Sequence, residues 1–290
     1  METREELLKQ VKTIEIKTRA LSKQIFAGEY HSAFKGRGMT FSEVADYQYG
    51  DDIRSIDWNV TARYDKPYIK RFEEERELTV ILMVDISLST HFGTQTKSKR
   101  QLITELSAVL AFSAIRNNDK VGAILFTDRV EQFIPPRKGR KHILRIIGEL
   151  LDSRPEGKKT DLKPALRYLT KVAKKKSVVF LISDFLDVDY EKSLQIASYK
   201  HDLTGIKIYD RREMHLPQVG LLKVKDIESG KTLWIDTNKK SIRKQFEKAR
   251  QAEEEQMAKI FARTGTDYVR INTGEDYVKS MLDLFKKRLH

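Results

Sequence analysis

Asp85-Ile86-Ser87-Leu88-Ser89 places one carboxylate and two hydroxyls at alternate positions directly after the apolar segment 79–84 (TVILMV). In a loop leaving a buried strand, that spacing can turn three oxygen-bearing side chains toward one point. A hard divalent cation such as Mg2+ prefers oxygen ligands, near-octahedral at about 2.0–2.1 Å, and usually keeps some water. Hydroxyls coordinate without adding charge. Two or three Ser or Thr oxygens with one or two carboxylates would therefore leave the ion electrophilic and in want of an external anion. Serines after a strand also cap helices, so the spacing alone is a weak signal. Two further segments strengthen it. Gly157-Lys158-Lys159-Thr160-Asp161 precedes a helical stretch and offers another hydroxyl, and Ser183-Asp184 ends a second apolar run and offers a second carboxylate.

The elements that must position these groups are legible in the apolar pattern. Segments 79–84, 121–126 (VGAILF), 178–182 (VVFLI) and 203–209 (LTGIKIY) are almost continuously apolar, as expected of strands buried on both faces in a parallel sheet. Helix-like stretches at 99–116, 141–151, 162–174 and 190–200 separate them, and the alternation predicts a doubly wound, mostly parallel α/β sheet. Ligands of such sheets bind outside the carboxyl ends of the strands, near the point where strand order reverses. Each of the four runs is followed within two residues by an aspartate: Asp85, Asp128, Asp184 and Asp210. Asp128 and Asp210 read as caps of the next helix or turn. Farther on, 221–224 and 232–235 flank Glu228-Ser229-Gly230-Lys231 and predict a hairpin inserted near 215–236. A helix at 241–263, a strand at 268–271 and a helix at 276–288 complete the pattern.

Ahead of the sheet, Leu7, Val11, Ile14, Leu21 and Ile25 recur at helical spacing over 3–26. Residues 28–77 are broken by Gly36, Gly38 and Gly50 into short segments such as 53–58 and 67–72, which read as short strands and turns. The expected division is therefore an N-terminal helix and small strand-rich subdomain over 1–77, and the α/β domain over 78–290. Asp51, Asp52 and Asp57 lack a calcium-loop pattern and read as turn chemistry, with Trp58 packed inward.

Composition narrows the function classes. The absence of cysteine among the 290 residues excludes disulfides, thiolate metal sites and a cysteine nucleophile. The start METREELLKQ does not read as a secretory signal. No apolar run approaches the roughly 20 residues of a membrane helix, so a soluble, cytoplasmic protein is expected. The formal charge is +13, and 137–176 holds 14 Lys/Arg against four Asp/Glu. That stretch reads first as a solvated surface, then as a field attracting an acidic partner, and last as a nucleic-acid surface, for which no recognition motif is present. Enzyme signatures are missing: no phosphate-binding G-x-x-x-x-G-K-[ST] loop, no G-x-S-x-G elbow and no H-E-x-x-H pair. A magnesium-dependent phosphoryl-transfer enzyme would also place aspartates at strand ends, but no general base or nucleophile completes it.

Asp85-Ile86-Ser87-Leu88-Ser89, Thr160-Asp161 and Ser183-Asp184 resemble the metal-ion-dependent adhesion site of von Willebrand factor A domains. The segment FAGEYHSAFKGRGMTFSEVADYQYGDDIRSIDWNVTARYDKPYIKRFEEERELTVILMVDIS, with FTDRVEQFIPPRKGRKHILRII and LISDFLD, resembles the bacterial family known as domain of unknown function fifty-eight. Its members are typically associated with MoxR-type AAA+ ATPases. The resemblance implies a sheet of the von Willebrand factor A type. It also implies a site in which Ser87, Ser89 and Thr160 reach a Mg2+ ion, with Mn2+ or Ca2+ as alternatives. Asp85 and Asp184 would hold the ion directly or through water. The open position would take an Asp or Glu from a protein partner, so the expected role is binding rather than catalysis, as an adaptor for a MoxR-type ATPase in protein assembly or maturation. Some relatives carry membrane-spanning helices, which this sequence does not show. Oligomeric state is not indicated. Two expectations are open to direct check: that Asp85 faces solvent at its strand end, and that no lysine of the chain already fills the gap among the hydroxyls.

Overall fold

The computed structural model describes residues 9, 12–15, 39–64, 66–74, 77–94, 97–157, 159–187, 189–225 and 232–289. Contacts divide the chain into two units, Lys35–Leu78 and the remainder. Of the helix expected over 3–26, Lys9 and 12–15 are helical and the rest lies outside the described residues.

In the smaller unit, β1 (Met39–Asp46) pairs antiparallel with β2 (Tyr68–Glu74), with a register shift between Phe41 and Glu43. Between them lie a 3-10 turn at Ile53–Ser55 and the short helix α1 (Trp58–Tyr64). Of the short strands and turns expected in this region, 53–58 takes the turn form, through local capping. Arg54 N donates to Asp52 Oδ1 at 2.9 Å, and Asn59 N donates to Asp57 Oδ1 at 3.0 Å. The acidic cluster is thus turn chemistry. Trp58, expected to pack inward, is instead 68% exposed.

The larger unit runs β3 (Thr79–Asp85), α2 (Lys99–Arg116), β4 (Lys120–Phe126), β5 (Val130–Arg137), α3 (Arg140–Asp152), α4 (Leu162–Val172), β6 (Val178–Ser183), α5 (Glu191–Lys200), β7 (Asp202–Tyr209), α6 (Arg211–Met214), β8 (Leu221–Lys225), β9 (Thr232–Asp236), α7 (Lys240–Arg263), β10 (Asp267–Asn272) and α8 (Tyr277–Leu289). Six strands form one sheet in the order β10-β7-β6-β3-β4-β5. All neighbours are parallel except β4 and β5. The α/β, mostly parallel sheet expected from the apolar runs is the one observed. β8 and β9 form a separate antiparallel hairpin, and its expected turn at 228–231 lies outside the described residues.

Strand β3 is buried at every residue but its first, because it lies between β4 and β6 and its side chains face packed layers on both sides. On one face, Ile81, Met83, Phe126 and Leu181 pack with Leu166 of α4 and Phe261 of α7, each such side chain contributing about 1.5–3 kcal/mol on burial. The chain proceeds from β3 outward through β4 to β5, then returns to the other side of β3 and continues through β6, β7 and β10. Strand order therefore reverses between β3 and β6, and their carboxyl ends carry Asp85 and Ser183.

Candidate metal centre

Asp85 ends β3, and the chain turns at once. Ser87 N donates back to Asp85 Oδ1 at 2.9 Å, and Thr90 Oγ1 donates to the Ser87 carbonyl at 2.7 Å. This turn, continued by a 3-10 segment at Leu88–His91, brings Ser87 Oγ and Ser89 Oγ to 3.0 Å from each other. Thr160, on the loop before α4, donates from Oγ1 to Ser87 Oγ at 2.9 Å. The three hydroxyls predicted from separate stretches of sequence therefore meet.

The Thr160 loop is fixed from β4 and β5. Asp161 N donates to the Thr127 carbonyl at 3.1 Å. Glu131 Oε1 accepts from Gly157 N at 2.8 Å and from Thr127 Oγ1 at 2.7 Å. Gly157 has to be glycine: a methyl in its place would sit 2.1 Å from Thr127 Oγ1 and 2.3 Å from Asp128 Oδ1.

On the other side, Ser183 Oγ donates to Asp85 Oδ2 at 2.6 Å, so both Asp85 oxygens accept a hydrogen bond. Asp85 does not face solvent as its strand-end position suggested; it is 1% exposed. Burial, reinforced by the neighbouring charge of Asp184, pushes its carboxyl up to about 7, against the opposing bonds from Ser183 and Ser87. Asp184 is also buried, and its Oδ1 has no hydrogen-bond partner. Immediately after it, Phe185 adopts a left-handed φ of 54°, unusual for a bulky residue. Its ring is locked edge-on against Phe261 at a centroid distance of 5.3 Å.

Sequence reasoning missed Lys99. Its ammonium lies 2.9 Å from Asp184 Oδ2 and 2.6 Å from Glu213 Oε1. Burial by itself would depress the Lys99 pKa, but the two carboxylates outweigh it and hold it above its ordinary value. Among the described residues, Lys99 bonds to these two carboxylates and not to Ser87, Ser89 or Thr160. Of the two aspartates read as caps, Asp210 does cap α6, through a capping box with Glu213. It also accepts from Thr94 Oγ1 at 2.7 Å and Thr273 Oγ1 at 2.9 Å. A cleft of about 1000 Å³ opens beside Ser89 and Asp184, walled in part by Leu186, Leu216, Val219, Phe246 and Met257.

A hard divalent cation fits these donors. They are three neutral hydroxyls and two carboxylates, and Asp184 offers a buried acceptor oxygen that the protein leaves unsatisfied. Among the described residues no cluster of three or more His, Cys, Asp or Glu side chains could hold a metal, so a metal here would rely on hydroxyls.

The central sheet is α/β and mostly parallel, the architecture expected of a von Willebrand factor A-type fold. The chain belongs to the family described as "Protein of unknown function DUF58", which matches residues 43–256. It is similar to the uncharacterized protein Rv1480 of Mycobacterium tuberculosis, at 28% identity over 96% of this chain and 88% of that protein. Among solved structures, an aerotolerance-related membrane protein from Bacteroides fragilis matches with a TM-score of 0.50 and 16% identity, over 73% of this chain and 98% of that one. The SpRpn10 VWA domain matches with a TM-score of 0.38 and 12% identity, over 72% of this chain and 94% of that one. No helix among the described residues is long and apolar enough to cross a membrane. The alternatives raised by the sequence, nucleic-acid binding through 137–176 and phosphoryl transfer, are not favoured.

Proposed function

We propose that this protein is a divalent-cation-dependent protein-binding module, working in the cytoplasm as an adaptor for a MoxR-type AAA+ ATPase in protein assembly or maturation. One observation carries the cation dependence: the Ser87, Ser89 and Thr160 hydroxyls converge beside Asp85 and the unsatisfied Oδ1 of Asp184. Mg2+, with Mn2+ or Ca2+ as substitutes, would supply a Lewis-acidic position for an Asp or Glu of the partner. The chain's own residues orient the donors. Ser183 and the Ser87 amide hold Asp85 in one rotamer, and Glu131 and Thr127 hold the Thr160 loop. The cleft beside Ser89 and Asp184 leaves room for the partner's side chains. The MoxR-type partner is supported by the family resemblance, and a binding rather than catalytic role by the missing general base and nucleophile.

The test is capture of the ATPase with Mg2+ and again with a chelator, alongside Mn2+ binding by calorimetry. Both should require the cation, and both should be lost in Asp85→Ala. Because Asp85 is buried, that variant also strands the Ser183 hydroxyl and the Ser87 amide, a cost of about 1–3 kcal/mol in stability. Mn2+ binding by Asp85→Ala at wild-type affinity would sink the site assignment; capture that survives chelation would sink the cation dependence.

A further inference from the structure

A fully buried ammonium is unfavourable unless it is paired, and Lys99 is 0% exposed. Its position does nothing for the helix that carries it. Lys99 is the first residue of α2, directly after its N-cap Ser98 and within the Ser98–Gln101 capping box, where the helix dipole disfavours a positive charge. What the position does supply is reach: the ammonium contacts Asp184 Oδ2, at the end of β6, and Glu213 Oε1, on α6. Asp184 is in turn only half satisfied, with Oδ2 on Lys99 and Oδ1 buried without a partner. Asp85, which ends the neighbouring strand β3, is a second buried carboxylate. Without a cation between or beside them, such a pair repels.

We infer that Lys99 is the resident counter-ion of this site: its ammonium holds Asp184 when no divalent cation is bound, and it competes with that cation for the carboxylate. The inference rests on the metal reading above and goes beyond it. Lys99 is a positioning residue that sets how tightly the hydroxyl cluster holds its ion. A divalent ion drawing on Asp184 shares that carboxylate with a fixed positive charge, which weakens its binding and preserves its pull on an external anion. Glu213 offsets part of the lysine's charge from the far side, so the three residues form one electrostatic setting.

The experiment compares wild type, Lys99→Met and Glu213→Gln for Mn2+ affinity by calorimetry and electron paramagnetic resonance, with thermal melts in chelator and in saturating Mn2+. Lys99→Met keeps an unbranched chain of similar length and removes the charge. It should bind Mn2+ about tenfold or more tightly, as expected for removal of a like charge a few ångström away in a partly screened site. It should also melt at a lower temperature than wild type in chelator and recover that loss with Mn2+. Glu213→Gln leaves the lysine charge less compensated and should bind Mn2+ several-fold more weakly. Wild type that binds Mn2+ while Lys99→Met binds it equally or less tightly overturns the counter-ion role and leaves the metal reading standing. If wild type binds no Mn2+, both fall. If Lys99→Met does not fold even with Mn2+, Glu213→Gln decides: weaker binding supports the role, and unchanged binding overturns it.

Discussion

His201 is buried at the end of α5, with neither ring nitrogen hydrogen-bonded. Burial, aided slightly by Lys200, pulls its pKa down to about 4. It is neutral in the folded chain and charges on unfolding, so the unfolded state takes up the extra proton. The stability it contributes is complete above about 6.5, the unfolded value, and is lost as pH falls toward 4. Asp85 works in the opposite sense: its raised pKa makes stability fall as pH rises from about 4 to about 7. The two are separated by difference. Chemical denaturation of wild type and His201→Leu across this range should give curves that diverge as pH falls, with the variant losing less; parallel curves would contradict the assignment. At this scale the sequence is most readable where chemistry is contiguous. Asp85, Ser87 and Ser89 lie within one turn, and their spacing already allowed convergence. Lys99 is 85 residues from Asp184 and 114 from Glu213, and inside a run of helix-forming residues it looks like any surface lysine. Only the placing of α2's first turn against the end of β6 reveals it.

Elements do their work here by holding loops. Glu131 lies near the start of β5, and its carboxylate gathers Gly157 N, Glu156 N and Thr127 Oγ1. Those bonds, helped by Arg129, keep its pKa below the usual value against the opposing effect of burial. Glu131→Ala should release the Thr160 loop and weaken Mn2+ binding about tenfold, the scale of one charge-assisted hydrogen bond, in a chain that still folds. Glu131→Gln, which keeps an acceptor oxygen, should recover most of the loss. Calorimetry on the pair checks this, and equal affinity in Glu131→Ala and wild type would contradict it. The four apolar runs were legible as strands because burial on both faces leaves no room for polar residues. β5 was not. Its sequence VEQFIPPR carries charge and two prolines, which an antiparallel edge strand tolerates and an inner one does not. In the smaller unit, Asp52 and Asp57 decide between strand and turn at 53–58 by capping, an effect that depends on which backbone amides they meet.

For the whole molecule, the basic stretch 137–176 is partly neutralised by ion pairs. Arg140 pairs with Glu15, Arg145 with Glu149 and Lys163 with Asp189. The remaining excess surrounds Thr160 in the sequence; under the proposed function its field would draw an acidic partner toward that edge of the sheet. Raising salt from about 0.1 M to about 1 M shortens the screening length from about 10 Å to about 3 Å. The partner's association rate should fall accordingly, while Mn2+ binding in the buried cluster changes less; surface plasmon resonance across that range reads the rate, and a flat profile would remove any steering role. The fold class was readable at this scale because strand and helix alternate; strand order was not, since pairing across long crossovers leaves no local mark. Glu213 stands both in the wall of the cleft and on the ammonium that grips Asp184. A guest that pulled this glutamate aside would change the charge balance felt by the carboxylate behind it. Cleft and hydroxyl cluster share this one residue as a handle, through which an occupant of the first would be weighed by the second.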